Sequence, residues 1–262
     1  MSVLEAILEL NKAYRQSFTN QIDKSWGTIF YNEEQSLYYD ANHAEIKEKC
    51  QNPQAVINQV KSFYQKKEII PRFYLYNIEE QEELLRQLIF YDFKIEEFID
   101  PIQVWNGKVI SSQSLAEIKI EPLSNENYDD ILNVLCSIEE LGGRDVREKA
   151  LENEVKNPNF IYYLLRYQGV PCATACLFTT GHYAKLESVA TLEAYRGRGL
   201  IGTLIRHIQA EVVKMDIEYF LIFPINEKVG QIYERYGFIT IGTQKMIHAY
   251  LGEKGIKHIQ GE

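Results

Sequence analysis

With 262 residues, 45% of them apolar and 25% charged, the chain has room for one large or two ordinary domains, and its 18 tyrosines and 12 phenylalanines exclude long disordered stretches. A net charge of −9 argues against a nucleic-acid footprint, which needs a net basic face. No apolar run nears the roughly 20 residues of a spanning helix, so no membrane association is expected.

The opening segment, "MSVLEAILELNKAYRQSF", carries Glu5 and Glu9 and lacks a basic start followed by an apolar core. It does not read as a secretory leader, and a cytoplasmic location is expected. Further on, "PRFYLYN" (71–77) reads as a strand followed by an acidic, polar helix, and "YDFKIEEFIDPIQVW" follows that helix. The short polar stretch "KVISSQSLAE" then marks an expected boundary near residue 114, giving an N-terminal α/β domain (1–114) and a second domain (115–262).

The second domain opens with a strand at about 117–122 and a helix from about 125, for which Ser124 or Asn125 is the candidate N-cap. "GGRDVREKALENEVKNP" is helical up to its Asn-Pro stop. "NFIYYLLRYQ" and "CATACLFTT" are hydrophobic strands joined at "GVP", a hairpin signal. "GHYA" turns the chain into the strand "KLESVATL", and a long helix follows with Ile201, Ile205, Ile208, Val212 and Met215 on one face. "IEYFLIFPI" reads as a buried strand, "NEKVGQIYERYG" as a short helix closed by Gly237, and "FITIGTQKMIHAYL" as one or two final strands. Early hairpins and a late strand–helix–strand crossover define an α/β fold with a mixed central sheet flanked by helices.

The four cysteines show no ligand spacing, so free thiols and no metal are expected. Cys172 and Cys176, an even number of residues apart in a strand, are expected on one face.

Between that strand and the long helix lies "EAYRGRGLIGTLI" (193–205). A helix N-terminus presents unpaired N–H groups and a partial positive charge, which suit an anion. Gly197, Gly199 and Gly202 would let phosphate oxygens approach the backbone, and Arg196 and Arg198 add positive charge. A plain tight turn with a helix cap is the alternative. The Gly-Lys-Ser/Thr ending of a P-loop is missing, and no dinucleotide-binding strand–helix repeat follows.

"VATLEAYRGRGLIGTLIRHI" resembles the acyl-CoA-binding motif of the GNAT N-acetyltransferase superfamily, Arg/Gln-x-x-Gly-x-Gly/Ala, through Arg196 and Gly199; Ile201 stands where the family has Gly or Ala. "INEKVGQIYERYGF" resembles a second family pattern, Asn-x-x-Ala-x-x-x-Tyr-x-x-x-Gly-Phe, at Asn226, Tyr233, Gly237 and Phe238, with Val229 replacing Ala. The resemblance covers residues 117–251 and implies the GNAT fold, acetyl-CoA as co-substrate, no metal, and transfer of an acetyl group to an amine by direct attack on the thioester. It implies that Val189, Ala190 and Thr191 pair with the pantetheine arm through their main chain. Arg196, Gly197, Arg198, Gly199, Leu200, Ile201 and Gly202 would hold the diphosphate, Asn226 would contact the coenzyme, and Tyr233 would protonate the leaving thiolate. A phenol with a pKa near 10 suits that role. Tyr233 is expected beside an apolar stripe of Val229, Ile232 and Tyr236.

The proton acceptor is either Glu187, on the strand before the loop, or a water; strand alternation would put Glu187, Val189 and Thr191 on one face. The oxyanion would meet a backbone N–H near Val189 or Ala190. The alternative to an enzyme is a non-catalytic module that binds CoA or a protein on the same fold. The acceptor, a small-molecule or peptide amine, is not named by the sequence, and a homodimer is an open assembly state. The N-terminal half echoes the C-terminal one: Phe93 to Trp105 has the separation of Phe238 to Tyr250, which suggests a degenerate GNAT-like half without the glycine loop, against simple coincidence.

Overall fold

The computed structural model describes residues 2–110, 117–138 and 141–259. The elements run α1 (Val3–Gln16), β1 (Asn20–Lys24), β2 (Gly27–Tyr31), β3 (His43–Ile46), α2 (Pro53–Gln65), β4 (Arg72–Leu75), α3 (Glu82–Phe90) and β5 (Lys94–Trp105). They continue with β6 (Ile118–Pro122), α4 (Tyr128–Cys136), α5 (Gly143–Glu154), β7 (Phe160–Tyr167), β8 (Val170–Thr180) and β9 (Tyr183–Thr191). The chain ends with α6 (Leu200–Lys214), β10 (Tyr219–Ile222), α7 (Glu227–Glu234), β11 (Phe238–Tyr250) and α8 (Ile256–Ile259).

The chain divides into two compact units, and neither is one continuous segment. The first is Met1–Tyr14 with Asp100–Thr243; the second is Arg15–Ile99 with Gln244–Glu262. The boundary expected near residue 114 lies outside the described residues, and the division into units does not follow it. The N-terminal helix as far as Tyr14 joins the first unit, and the last strand is divided, with residues up to Thr243 in the first unit and those from Gln244 in the second. The physical reason is pairing: the second half of β5 pairs with β10 in the first unit, and the second half of β11 pairs with β4 in the second.

In the first unit, β6, β7, β8 and β9 form an antiparallel meander, and β10 lies parallel to β9 after the α6 crossover. One sheet face is covered by α1, α4 and α5, burying Leu10, Ile131, Leu135, Leu151, Phe160 and Phe178. The other is covered by α6 and α7, burying Leu204, Ile205, Ile208, Val212, Phe220 and Phe238. Of the α6 periodicity read from the sequence, Ile205, Ile208 and Val212 are buried, Ile201 is half-buried, and Met215 falls just past the helix end. Helix α4 starts later than expected: Asn127, not Ser124 or Asn125, is its N-cap, and Asn127 Oδ1 accepts from the Ser124 amide at 2.8 Å. The expected strand "IEYFLIFPI" pairs only over Tyr219–Ile222.

Two bulges break the strand alternation of this sheet. Leu165 pairs with Ala173 but Arg166 pairs with Pro171, which leaves Cys172 as an extra residue. Cys172 therefore joins the α6 face and Cys176 the α1 face, not one face as expected. All four cysteines are free thiols. In β9, Glu187 pairs with Cys176 and Ala190 with Thr174, so Ser188 and Val189 share one partner position. Ser188 sits in the left-handed region at φ 50°. Glu187 and Val189 consequently point to opposite faces, a correction to the expected alternation.

The second unit has its own core of Val56, Ile57, Val60 and Tyr64 from α2, Leu84 and Leu88 from α3, and Ile29, Ile46, Phe73, Leu75 and Ile247 from its strands. Its element order repeats that of the first: an antiparallel β1–β2–β3 meander, a crossover helix α2, a strand β4 parallel to β3, a short helix α3 and a long strand. Asp92 (φ 63°) and Gly237 (φ 82°) occupy matching turns before Phe93 and Phe238. The opposite sheet face carries a buried ionic set. His248 Nδ1 donates to Glu96 Oε2 at 2.8 Å, and Arg72 Nη1 stands 3.1 Å from His248 Nε2. A guanidinium can only donate, so Nε2 accepts and the imidazole is neutral. Burial, with the Arg72 charge adding to it and Glu96 opposing it, pushes His248 down to about 4.

That shift sets a pH dependence. The unfolded chain, with an ordinary histidine pKa near 6.5, binds the extra proton between about pH 6.5 and pH 4, while the folded chain does not. Stability from this site is complete above about pH 6.5 and falls as the pH is lowered, by about 2 kcal/mol at pH 4.5. Urea denaturation should show the stability gap between the parent and His248→Gln closing from pH 7 to pH 4.5. A gap that holds constant would refute the assignment.

Among the described residues, no helix is long and apolar enough to cross a membrane. No group of three or more His, Cys, Asp or Glu among them could hold a metal ion.

Candidate active site

The parallel pairing of β9 with β10 covers only Tyr183–Lys185 against Tyr219–Leu221. Beyond Lys185, β9 keeps β8 on one side as far as Thr191, while the chain after β10 turns away through Phe223, Pro224 and Ile225. The parting strands open a cavity of about 490 Å³ in the first unit. A strand edge that loses its neighbour presents backbone N–H and C=O groups to whatever enters.

One end of the cavity is formed by the loop before α6. Gly197, Gly199, Leu200 and Ile201 line it, together with Tyr195 and Arg196. Gly199 is the α6 N-cap at φ 74°, a left-handed conformation natural to glycine, and it offers no side-chain acceptor to the first-turn amides. Arg196 is tied back to the strand by Nε donating to the Thr191 carbonyl at 3.2 Å. Arg198 points elsewhere: its guanidinium donates to the Ala194 carbonyl and lies 5.3 Å from the Tyr195 ring centre. Gly202 does not line the cavity either. A Cβ there would run into the Tyr236 ring and hydroxyl, so its smallness serves packing against Tyr236 rather than phosphate access.

The bulge and α7 supply more of the lining. Glu187, Ser188, Val189, Ala190 and Thr191 all line the cavity, as does Tyr233. Helix α7 buries Gly230 and Tyr233 and leaves Ile232 39% exposed, so the expected Val229–Ile232–Tyr236 stripe is not its buried face. Burial, with the Glu187 charge adding to it, pushes the Tyr233 phenol well above its ordinary range. Tyr233 is thus a proton donor at neutral pH, and among the described residues its hydroxyl has no hydrogen-bond partner. Glu187 is paired with the buried Lys185, Nζ to Oε1 at 2.6 Å, and that ammonium lies 3.5 Å from the centre of the Tyr14 ring. Asn226 stands apart from the cavity lining. Its side chain caps α7 by accepting from the Val229 amide at 2.9 Å.

The structure therefore brings ten of the sequence-read residues to one cavity: Glu187, Val189, Ala190, Thr191, Arg196, Gly197, Gly199, Leu200, Ile201 and Tyr233. Arg198, Gly202 and Asn226 lie outside its lining. Ser188 was missed, because a serine in a strand carries no signal for a bulge.

Residues 128–238 match the model of the Acetyltransferase (GNAT) family. Among known proteins, the chain is 29% identical over 98 residues to a Bacillus subtilis (strain 168) protein named as a candidate acetyltransferase. That match takes in 37% of this chain and 62% of the relative's length. The fold extends further than the sequence match. A GCN5-related N-acetyltransferase from Kribbella flavida superposes with a TM-score of 0.68 over 97% of both chains at 16% identity. A conserved protein of unknown function from Staphylococcus epidermidis gives 0.70 over 88% of this chain and 93% of its own, at 15% identity.

Proposed function

We propose that the protein transfers the acetyl group of acetyl-CoA to a primary amine by direct attack on the thioester. The observation that carries this reading is the cavity itself, whose lining combines the amides of a helix start with the Tyr233 phenol. The diphosphate would rest on the α6 amides and beside Arg196, where the dipole and the missing side-chain cap favour an anion. The pantetheine arm would pair with the free edge of β9 from Val189 to Thr191. The amine nitrogen attacks the carbonyl carbon, a C–N bond forms, and the charge on the carbonyl oxygen is met by a backbone N–H at the bulge, at Val189 or Ala190. As the C–S bond breaks, Tyr233 gives its proton to the thiolate. The amine proton leaves to Glu187 or to water. Glu187 would have to part from Lys185 to accept it, which favours water.

The second unit is read as a coenzyme-free repeat of the same half. Its crossover helix α2 starts at Pro53, and the Asn52 side chain accepts from the Ala55 amide at 3.3 Å. A helix start filled by its own cap and a proline has little left for a phosphate.

The test is calorimetric titration with acetyl-CoA, followed by thiol release across a panel of amines. Saturable binding with amine-dependent thiol release is the expected result. Binding without release from any amine would favour a non-catalytic CoA-binding module, and no binding would overturn the reading.

A further inference from the structure

Behind the bulge lies a buried polar cluster that the reaction above does not use. Arg147, Glu154 and Tyr162 are 3%, 4% and 2% exposed. Arg147 Nη2 donates to Glu154 Oε2 at 2.9 Å and to the Tyr162 hydroxyl at 3.0 Å. The Tyr162 oxygen stands 2.6 Å from Glu154 Oε2 and 3.5 Å from Ser188 Oγ. Ser188 is the left-handed bulge residue, and it lines the cavity between Glu187 and Val189.

The chemistry of these groups fixes the direction of each hydrogen. A guanidinium only donates, a carboxylate only accepts, and a phenol has one proton. The short contact to Glu154 takes that proton, because a charge-assisted bond outweighs a long contact between neutral hydroxyls. Burial, reinforced by the Glu154 charge, holds Tyr162 well above the ordinary phenol range, so it remains a phenol. Its oxygen already accepts from Arg147 and has one lone pair left for Ser188. With the phenol proton on Glu154, the serine is the partner that can donate across this 3.5 Å gap. A serine proton turned inward in this way leaves Oγ lone pairs toward the cavity.

We infer that Ser188 accepts a hydrogen bond from the N–H of the attacking amine and aims its lone pair at the thioester carbon, with Tyr162, Glu154 and Arg147 as positioning residues that set the polarity of the serine hydroxyl. The inference rests on the acetyl-transfer reading above. It assigns the amine to the sheet face on which Glu187 and Ala190 lie, next to the backbone amides proposed for the oxyanion.

The experiment is a double-mutant cycle of Ser188→Gly and Tyr162→Phe. Glycine keeps the left-handed backbone while removing the hydroxyl. Acetyl-CoA affinity is measured by calorimetry. The kcat/KM for the amine is measured by thiol release with putrescine, glycinamide and an amino sugar at saturating acetyl-CoA. Ser188→Gly should lower kcat/KM about tenfold, the size of one lost hydrogen bond, with acetyl-CoA affinity unchanged. Tyr162→Phe should lower it by a smaller factor in the parent and by nothing further in the Ser188→Gly background. A purely structural tyrosine would lower activity in both backgrounds, and that result would overturn the positioning role. Unimpaired kcat/KM in Ser188→Gly overturns the amine contact even if Tyr162→Phe fails to fold. A parent that neither binds acetyl-CoA nor releases thiol overturns the acetyl-transfer reading beneath it.

Discussion

Acetyl-CoA affinity should fall by about two to three orders of magnitude when Gly199 is replaced by glutamate, a loss of about 3–4 kcal/mol. Space is not the cause. A Cβ at Gly199 would meet nothing within 4 Å, so the backbone itself tolerates the atom sterically. Two other effects combine. A non-glycine residue at φ 74° is strained by about 1–2 kcal/mol, which lowers folding stability. The carboxylate then sits at the positive end of α6, where it satisfies the amides that would hold the diphosphate and repels the incoming anion. Gly199→Ala separates the two effects, because it carries the strain without the charge. Calorimetry should find alanine within a few-fold of the parent and glutamate close to non-binding. Equal affinity for all three would move the diphosphate away from α6 and with it the placement of the whole coenzyme.

Tyr233→Phe should lower kcat by about 100-fold, the lower end of the range for removing a positioned general acid, and leave acetyl-CoA affinity within about twofold. The same substitution should leave the melting temperature unchanged or raise it. Its hydroxyl bonds to no described residue and faces the cavity, so its removal takes no hydrogen bond from the folded chain. Thiol-release kinetics beside a thermal melt therefore separate a working phenol from a packing one. A fall in stability with normal turnover would assign the ring to the core with Phe238, whose ring centre is 6.1 Å away. Because Tyr233 is held above the ordinary phenol range by burial and then by Glu187, turnover should not decline through ionisation of this group at mildly alkaline pH.

Much of this architecture was legible in the chain. Helix α6 declared itself by the spacing of Ile201, Ile205, Ile208 and Val212, and the strand–helix order from β6 to β11 follows the turn chemistry between the elements. The glycine loop and Tyr233 were found because their signal is local: residue types at fixed offsets within one strand–turn–helix. Three things could not be read. Ser188 and Cys172 are bulge residues, and a bulge inserts one position into a pattern whose only sequence signature is a period of two. Every inference of facing drawn across them, for Glu187 with Val189 and for Cys172 with Cys176, was inverted by that single extra residue. The roles of Gly202 and Asn226 were assigned by motif. Their spatial neighbours, Tyr236 across the helix packing and the Val229 amide at the cap, give each a structural task that a linear pattern does not display. The makeup of the two units was the third, because it depends on which strand each half of β5 and β11 pairs with, and long-range pairing leaves no mark on either segment alone.

That interleaving has a consequence for how the protein is made. The second unit draws its strand partner for β4 from residues 247–250, and its Glu96 finds His248 only there. During synthesis the first hundred residues therefore wait with an open sheet edge until nearly the whole remaining chain has emerged, while the helix at the extreme start waits for its core around Ile131 and Phe178. A nascent chain of this kind has no early resting point at which one half is finished. Cutting the gene near residue 114 would yield two fragments that each lack a strand or helix held by the other, and co-expressing them would be a complementation experiment rather than a domain dissection.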